Sequence, residues 1–300
     1  MRIGISLSSS LVAESPSVAA TWMVERAAAA YSAGLASLSV GDHHAQTKWY
    51  LQNTPTLGRL LAEWPDRAAG CLFLVPLWHP VLIAEHVATL SANLHAPFIV
   101  QVGVGAGQGQ FASMGAEMST RGRYTDEAIR VVQDLLEGKE AESEMLDMGP
   151  TTLGLRPTQP IEWWIGGQAP ATLRRAARIG TAWYGAPGLT DPQSGELIAS
   201  YRAECETHGA TPRSVARRDA LVLADGARAH TEADAIVARG YRGIDPAQLL
   251  VGGPDEVAAR VQELAALGYD DIIVRNMTLN QAQALETIEQ VGFINSVLDA

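Results

Sequence analysis

The chain has 300 residues, 47% of them hydrophobic and 18% charged, with a net charge of −11 at pH 7. That is apolar material for a large core, and an acidic chain without a basic stripe is not expected to bind nucleic acid. Its two cysteines, Cys71 and Cys205, make no disulfide framework and have no Cys or His at metal-ligand spacing, which points to a reduced, cytoplasmic protein inside the cell.

The first residues, MRIGISLSSS, carry one arginine and an apolar stretch broken by serines. They make a poor secretion signal and a good first strand. From there, short β-rich apolar runs recur at 3–7, 37–40, 71–75, 98–104, 161–165, 181–184, 220–224 and 271–275. Most are continuously apolar, as in parallel strands covered on both faces. Between them lie stripes of helical period. Ala20, Val24, Ala27, Ala28 and Tyr31 form the first, with Ser17 as its start signal. Ile83, Val87, Leu90 and Leu94 form another, opened by Pro80. Tyr124, Ala128, Val131, Val132 and Leu135 follow, then Val257, Val261 and Leu264 after Pro254. The longest nearly apolar run, 68–84, is interrupted by Pro76, His79 and Pro80, so no membrane span is expected. Arg213, Arg217 and Arg218 read as a solvated basic face.

Eight strands, each followed by a helix, give the fold class α/β, a (β/α)8 TIM barrel. A doubly wound sheet is the alternative, but no GxGxxG follows the first strand. The chain is expected to form a single domain over 1–300. The polar segment 139–160 reads as an insertion before the fifth strand.

Barrel chemistry sits at the C-terminal ends of the strands. After the second strand stand Asp42, His43 and His44, in a chain with seven histidines. An imidazole there can donate or accept a proton; alternatively, one histidine caps the strand and the other faces solvent. A metal site would need further ligands, and strands five and six end in Ile165-Gly166-Gly167 and Tyr184-Gly185, which offer none; no metal is expected. The strand-four end, Val102 to Gln108, alternates glycines. These either let a ligand approach the backbone or let the barrel close. Gly166 and Gly167, and the run Gly185, Ala186, Pro187, Gly188, lead into helix N-termini. Such ends are either anion sites or plain turns.

This combination resembles the bacterial luciferase-like family of flavin- and deazaflavin-dependent oxidoreductases, over nearly the whole chain. The carriers are GDHH after strand two, LFLVPLWHP at strand three and VGVGAGQGQFASMGAEMSTRGRYTDEAIRVVQDLLEG from strand four, then WIGG and LLVGGPDEVAARVQEL. The RGRYTDE portion is especially like the coenzyme F420 users. The resemblance implies that His43 faces the reactive part of the ring, with Asp42 orienting it or satisfying strand-end amides. It implies a non-proline cis bond between Cys71 and Leu72 behind the ring. It places Gly105, Ala106, Gly107 and Gln108 at the ring edge, Gly166 and Gly167 beside it, and Gly185 to Gly188 near the cofactor phosphate. Flavin users often hold that phosphate with an arginine where this chain has Ala106, so the expected cofactor is F420, with FMN as the alternative. Gln108 stands where some F420 dehydrogenases carry a glutamate, which puts a carboxylate mechanism in doubt. The implied activity is hydride transfer to or from a small organic substrate, with His43 as proton donor or acceptor. An FMN monooxygenase, a non-catalytic flavin-binding barrel and a metal-dependent hydrolase are the alternatives. Trp49, Trp78, Trp163 and Trp164 are candidates for an apolar substrate wall, and relatives suggest a homodimer.

Overall fold

A computed structural model describes residues 1–11 and 13–298. The strands are β1 Arg2–Leu7, β2 Ser37–Val40, β3 Ala68–Leu74, β4 Phe98–Gly103, β5 Ala141–Ser143, β6 Met148–Thr151, β7 Ile161–Gly166, β8 Ala182–Tyr184, β9 Ser214–Val222, β10 Leu250–Gly252 and β11 Asp271–Asn276. The helices are α1 Pro16–Ser32, α2 Asn53–Leu60, α3 Pro80–Ser91, α4 Gln108–Ser113, α5 Arg121–Leu136, α6 Pro170–Ile179, α7 Asp191–His208, α8 Gly226–Ala238, α9 Pro254–Leu267 and α10 Gln281–Leu298. β1, β2, β3, β4, β7, β8, β9 and β11 pair in parallel in that order, and β11 returns to β1, with Arg2 opposite Asp271 and Ile5 opposite Leu38. The result is the closed (β/α)8 barrel that the alternating runs predict. β10 stands outside the closure and, among the described residues, pairs only with β9. β5 and β6 form an antiparallel hairpin inside the segment 139–160. No described helix is long and apolar enough to cross a membrane.

Alternation along the strands explains the layering. Outward residues such as Ile3, Ile5, Cys71, Phe73, Val100 and Val102 pack with the helices in one continuous core. Inward, Ile99, Trp164, Ala182, Val215 and Ile273 fill the mid-barrel. At the N-terminal ends of the strands, Arg213 bridges Glu162 at 2.8 Å and Asp271 at 2.7 Å, and Arg2 meets Asp271 at 2.7 Å. Ion pairs thus line one end of the barrel, and the apolar layer separates it from the other.

Three expectations need correction. The start signal of α1 lies two residues before Ser17: Ser15 accepts from the Val18 amide at 3.2 Å, with Pro16 next. Its buried stripe is Ala19, Met23, Arg26, Ala27 and Ala30; a helix this rich in alanine does not fix its inward face by periodicity alone. The seventh barrel strand begins at Ser214, not at 220, and therefore contains Arg217 and Arg218, two of the three arginines read as solvated; the third, Arg213, directly precedes it and is held in ion pairs. Arg218 is fully buried and donates to the carbonyls of Leu189 at 3.1 Å and Arg217 at 2.9 Å. The Cys71–Leu72 peptide is trans. The β3–β4 ladder runs unbroken there, Cys71 opposite Val100 and Leu72 opposite Gln101, and leaves no bulge for a cis bond.

Candidate active site

At the C-terminal mouth lies a cup of about 480 Å3. Its floor and walls are Leu72 and Leu74 of β3, Gln101 of β4, Tyr184 of β8, Arg217 of β9 and Arg275 of β11. The rim is Ser8 to Ser10, the loop from Gly41 to Tyr50, Ala106 and Arg242. Volume and position both suit a ring-shaped ligand.

The two histidines divide their work. His44 is turned inward. Its Nε2 lies 3.1 Å from Asp42 Oδ1, its ring meets Trp78 edge-on at 5.4 Å, and its amide donates to Gln110 Oε1 at 2.7 Å. Asp42 is buried and accepts from the Leu74 amide at 2.7 Å and the Trp78 indole at 2.8 Å. Its carboxylate thus ties the loop after β2 to the end of β3. His43 lies between them in sequence but faces the cup, edge-on to Tyr50 at 5.8 Å. Gln110 closes the arrangement by donating to the Ala106 carbonyl at 3.2 Å, which links the loops after β2 and β4.

Two phenols line the same cup. Burial pushes Tyr184 up to about 12, with Arg217 pulling it down. Burial, and then the charge of Asp42, push Tyr50 up as well. Both stay protonated across neutral pH and act as hydrogen-bonding phenols rather than bases.

Across the mouth, β9 and β11 bring in charge. Asp219 is fully buried; it takes Arg217 at 3.2 Å, Arg242 at 3.1 Å and the Tyr241 hydroxyl at 2.6 Å. Arg242 reaches it from a loop where its own backbone is left-handed, φ 50°, a conformation uncommon without glycine. Arg275 donates to Ser8 Oγ at 2.8 Å. Sequence reading missed Gln101, Gln110, Tyr184, Arg217, Arg242 and Arg275. A signal existed for some: Gln101 interrupts FIVQVG, and Arg217 and Asp219 share one face of SVARRDALV. A polar residue inside a buried strand needs a reason.

The other expected positions are placed as follows. Leu72 and Ala106 line the cup. Cys71 does not: it is fully buried on the helix side of the sheet, where burial raises its thiol pKa. Gly105, Gly107 and Gln108 follow β4 around the rim, and Gln108 is exposed at the first turn of α4. Gly166 and Gly167 end β7 beside the mouth. A Cβ on Gly166 would sit 3.0 Å from the Val102 carbonyl, and Gly167 holds φ 138°. Gly185 is buried, with its amide given to Val215 at 2.9 Å; Ala186, Pro187 and Gly188 lead to α7. That helix caps itself, since Thr190 and Gln193 exchange hydrogen bonds. α6 has no side-chain cap at Ala169. Of the tryptophans, Trp49 is 47% exposed and lines the cup; Trp163 and Trp164 are buried, and Trp78 is engaged by Asp42. Arg121 donates to the Met118 carbonyl, while Arg130 pairs Glu127 on α5 and Arg175 of α6 pairs Asp126.

A family model described as luciferase-like monooxygenase matches residues 1–249. An uncharacterised protein of Mycobacterium tuberculosis is 33% identical over 139 residues, 46% of this chain and 48% of that one. The F420-dependent glucose-6-phosphate dehydrogenase of Nakamurella multipartita is 26% identical over 172 residues, 52% of this chain and 49% of that one. The chain therefore spans about half the length of the curated relatives it matches. Among solved structures, monooxygenase RslO1 from Streptomyces bottropensis superimposes with a TM-score of 0.86 at 18% identity, covering 100% of both chains.

Proposed function

Because the chain belongs to the luciferase-like monooxygenase family, we propose that it is an oxidoreductase whose cup receives coenzyme F420 and a small organic substrate, with His43 as proton donor or acceptor. The observation that carries this reading is the split of the histidine pair. Asp42 and His44 are spent on the protein, while the His43 imidazole lines an open cavity at the barrel mouth.

The cup suits a heteroaromatic ring with polar edges. Its floor is apolar at Leu72 and Leu74, and the buried Gln101 Nε2 beside them has no partner. A ring carbonyl would satisfy that donor. Leu72 would support the ring, and Gly105, Ala106, Gly107 and Gln108 would border it. Gly166 and Gly167, with the uncapped first turn of α6, would receive the phosphate tail, alongside Gly185, Ala186, Pro187 and Gly188. A bound deazaflavin supplies two-electron transfer. The chain's part is to orient both partners, to exclude water with Trp49 and Tyr50, and to move a proton at the His43 imidazole. The tether of His44 to Asp42 and Gln110 fixes the loop from which His43 projects.

Two features favour F420 over FMN: the small side chains at Gly105 to Gly107, and the similarity to a relative whose name declares F420 dependence. FMN is the alternative, favoured by the family's monooxygenase description. Parallel fluorescence titrations of the purified chain with F420 and with FMN test the choice. Saturable binding of F420 at lower concentration than FMN is expected; FMN binding alone would overturn the preference. Homodimer formation belongs to the same proposal, and light scattering on a size-exclusion column reads it directly.

A further inference from the structure

We infer that the cup is built for a substrate bearing an anionic group, a carboxylate or a phosphate, held by Arg217, Arg242 and Arg275. This rests on the oxidoreductase reading above and names its substrate class.

Three guanidiniums converge on one cavity from β9, β11 and the loop after α8. Among the described residues only one carboxylate, Asp219, is bonded to them, and it is already saturated by Arg217, Arg242 and Tyr241. Asp42, the other carboxylate of the cup, accepts from Leu74 and Trp78 through Oδ2, and its Oδ1 lies 3.1 Å from His44 Nε2 without a hydrogen bond. Arg275 is bonded to a neutral hydroxyl, that of Ser8. Arg217 Nε is buried without a partner. Lys48 adds a further positive charge at the rim. On the β9 and β11 side of the cup, away from Asp42, the unspent groups are donors and cations; the ligand that satisfies them is an acceptor with negative charge.

A cofactor phosphate is the other source of such a charge. The glycine-bordered ends of β4 and β7 and the uncapped α6, across β8 from Arg217, offer it another berth. Arg217 and Arg275 stand on β9 and β11, which lead round the barrel through β1 to the His43 strand. An anion there would place the rest of a small substrate within the space His43 also lines. The contrast with a chain of net charge −11 sharpens the point, since a cationic cup in an acidic protein focuses anions toward one place.

The test is calorimetric titration of the cofactor-loaded chain with inorganic phosphate, at constant ionic strength set with chloride. The unmodified protein should bind phosphate saturably. Arg275→Gln and Arg217→Gln should each weaken it about tenfold or more, as loss of a charge-assisted hydrogen bond does, with cofactor affinity little changed. Arg242→Gln, on an exposed loop, should act in the same direction and serves if a strand variant misfolds. Absence of saturable phosphate binding, or equal binding by the variants, overturns the inference. Loss of F420 or FMN affinity in the arginine variants also overturns it, by assigning the cluster to the cofactor. If neither cofactor binds the unmodified chain, the oxidoreductase reading fails, and the same phosphate titration on the cofactor-free chain still decides the anion site.

Discussion

His43 and His44 are neighbours with opposite duties, and substitution should separate them. His43→Ala removes a cup-facing imidazole with no ion pair or core contact among its described interactions. It should leave the melting temperature nearly unchanged and cut turnover by about 100-fold or more, the size of a general acid–base contribution. Unaltered turnover would remove His43 from the chemistry. Asp42→Ala should behave the other way. It strands the Leu74 amide, the Trp78 indole and the inward face of His44, a cost on the order of 3 kcal/mol read by urea unfolding. Little loss of stability there would mean that those donors find water. The sequence displayed the DHH cluster but not this division, because adjacent residues on a loop carry no periodicity to say which one faces in. The left-handed residue that follows, Ala45 at φ 53°, has no sequence signature either.

At the scale of elements, the strands were legible and their ends were not. Continuous apolar runs exposed most barrel strands. They hid the first residues of β3, where small residues let β3 and β4 approach. A Cβ on Gly70 would stand 1.8 Å from the Ile99 carbonyl oxygen. Gly70→Ala should therefore cost at least ~3 kcal/mol or give no soluble protein, as backbone overpacking does; a variant of ordinary stability would show that this part of the barrel can open. They also hid the first half of β9, where Arg217, Arg218 and Asp219 look like surface. Hydropathy cannot see that inward charges pair with each other and that Arg218 is taken up by backbone carbonyls. On the outside, α7 and α9 are joined by Asp191 and Arg260 at 2.9 Å. The hydrogen bond from Arg260 holds the Asp191 carboxyl below its ordinary value of 3.8. A depressed acid favours the folded state above that value and loses the benefit as pH falls through its folded pKa. Arg260→Gln should flatten this part of the acid-unfolding curve. The effect should be well below ~1 kcal/mol, since the pair is partly exposed; an unchanged slope would show that the pair contributes nothing.

For the whole molecule, barrel closure follows from the count of alternating strands and helices, and the position of the cup follows from closure. Which residues fill the two ends does not follow. One end takes Arg2, Glu162, Arg213 and Asp271, and the other takes Arg217, Asp219, Arg242 and Arg275. Both sets come from strands distant in sequence and meet only through the strand register. Arg242, on a loop between helix and strand, had no pattern to betray it. The small rim residues Gly105 to Gly107 were visible as a motif, and the resemblance supplied their meaning. The most direct test is a crystal structure of the chain soaked with F420. The account predicts the deazaflavin across the mouth, its ring over Leu72 and Leu74, Gln101 bonded to a ring carbonyl and the His43 imidazole in contact range of the ring. A ring bound elsewhere, or one that leaves His43 facing only solvent, would contradict it.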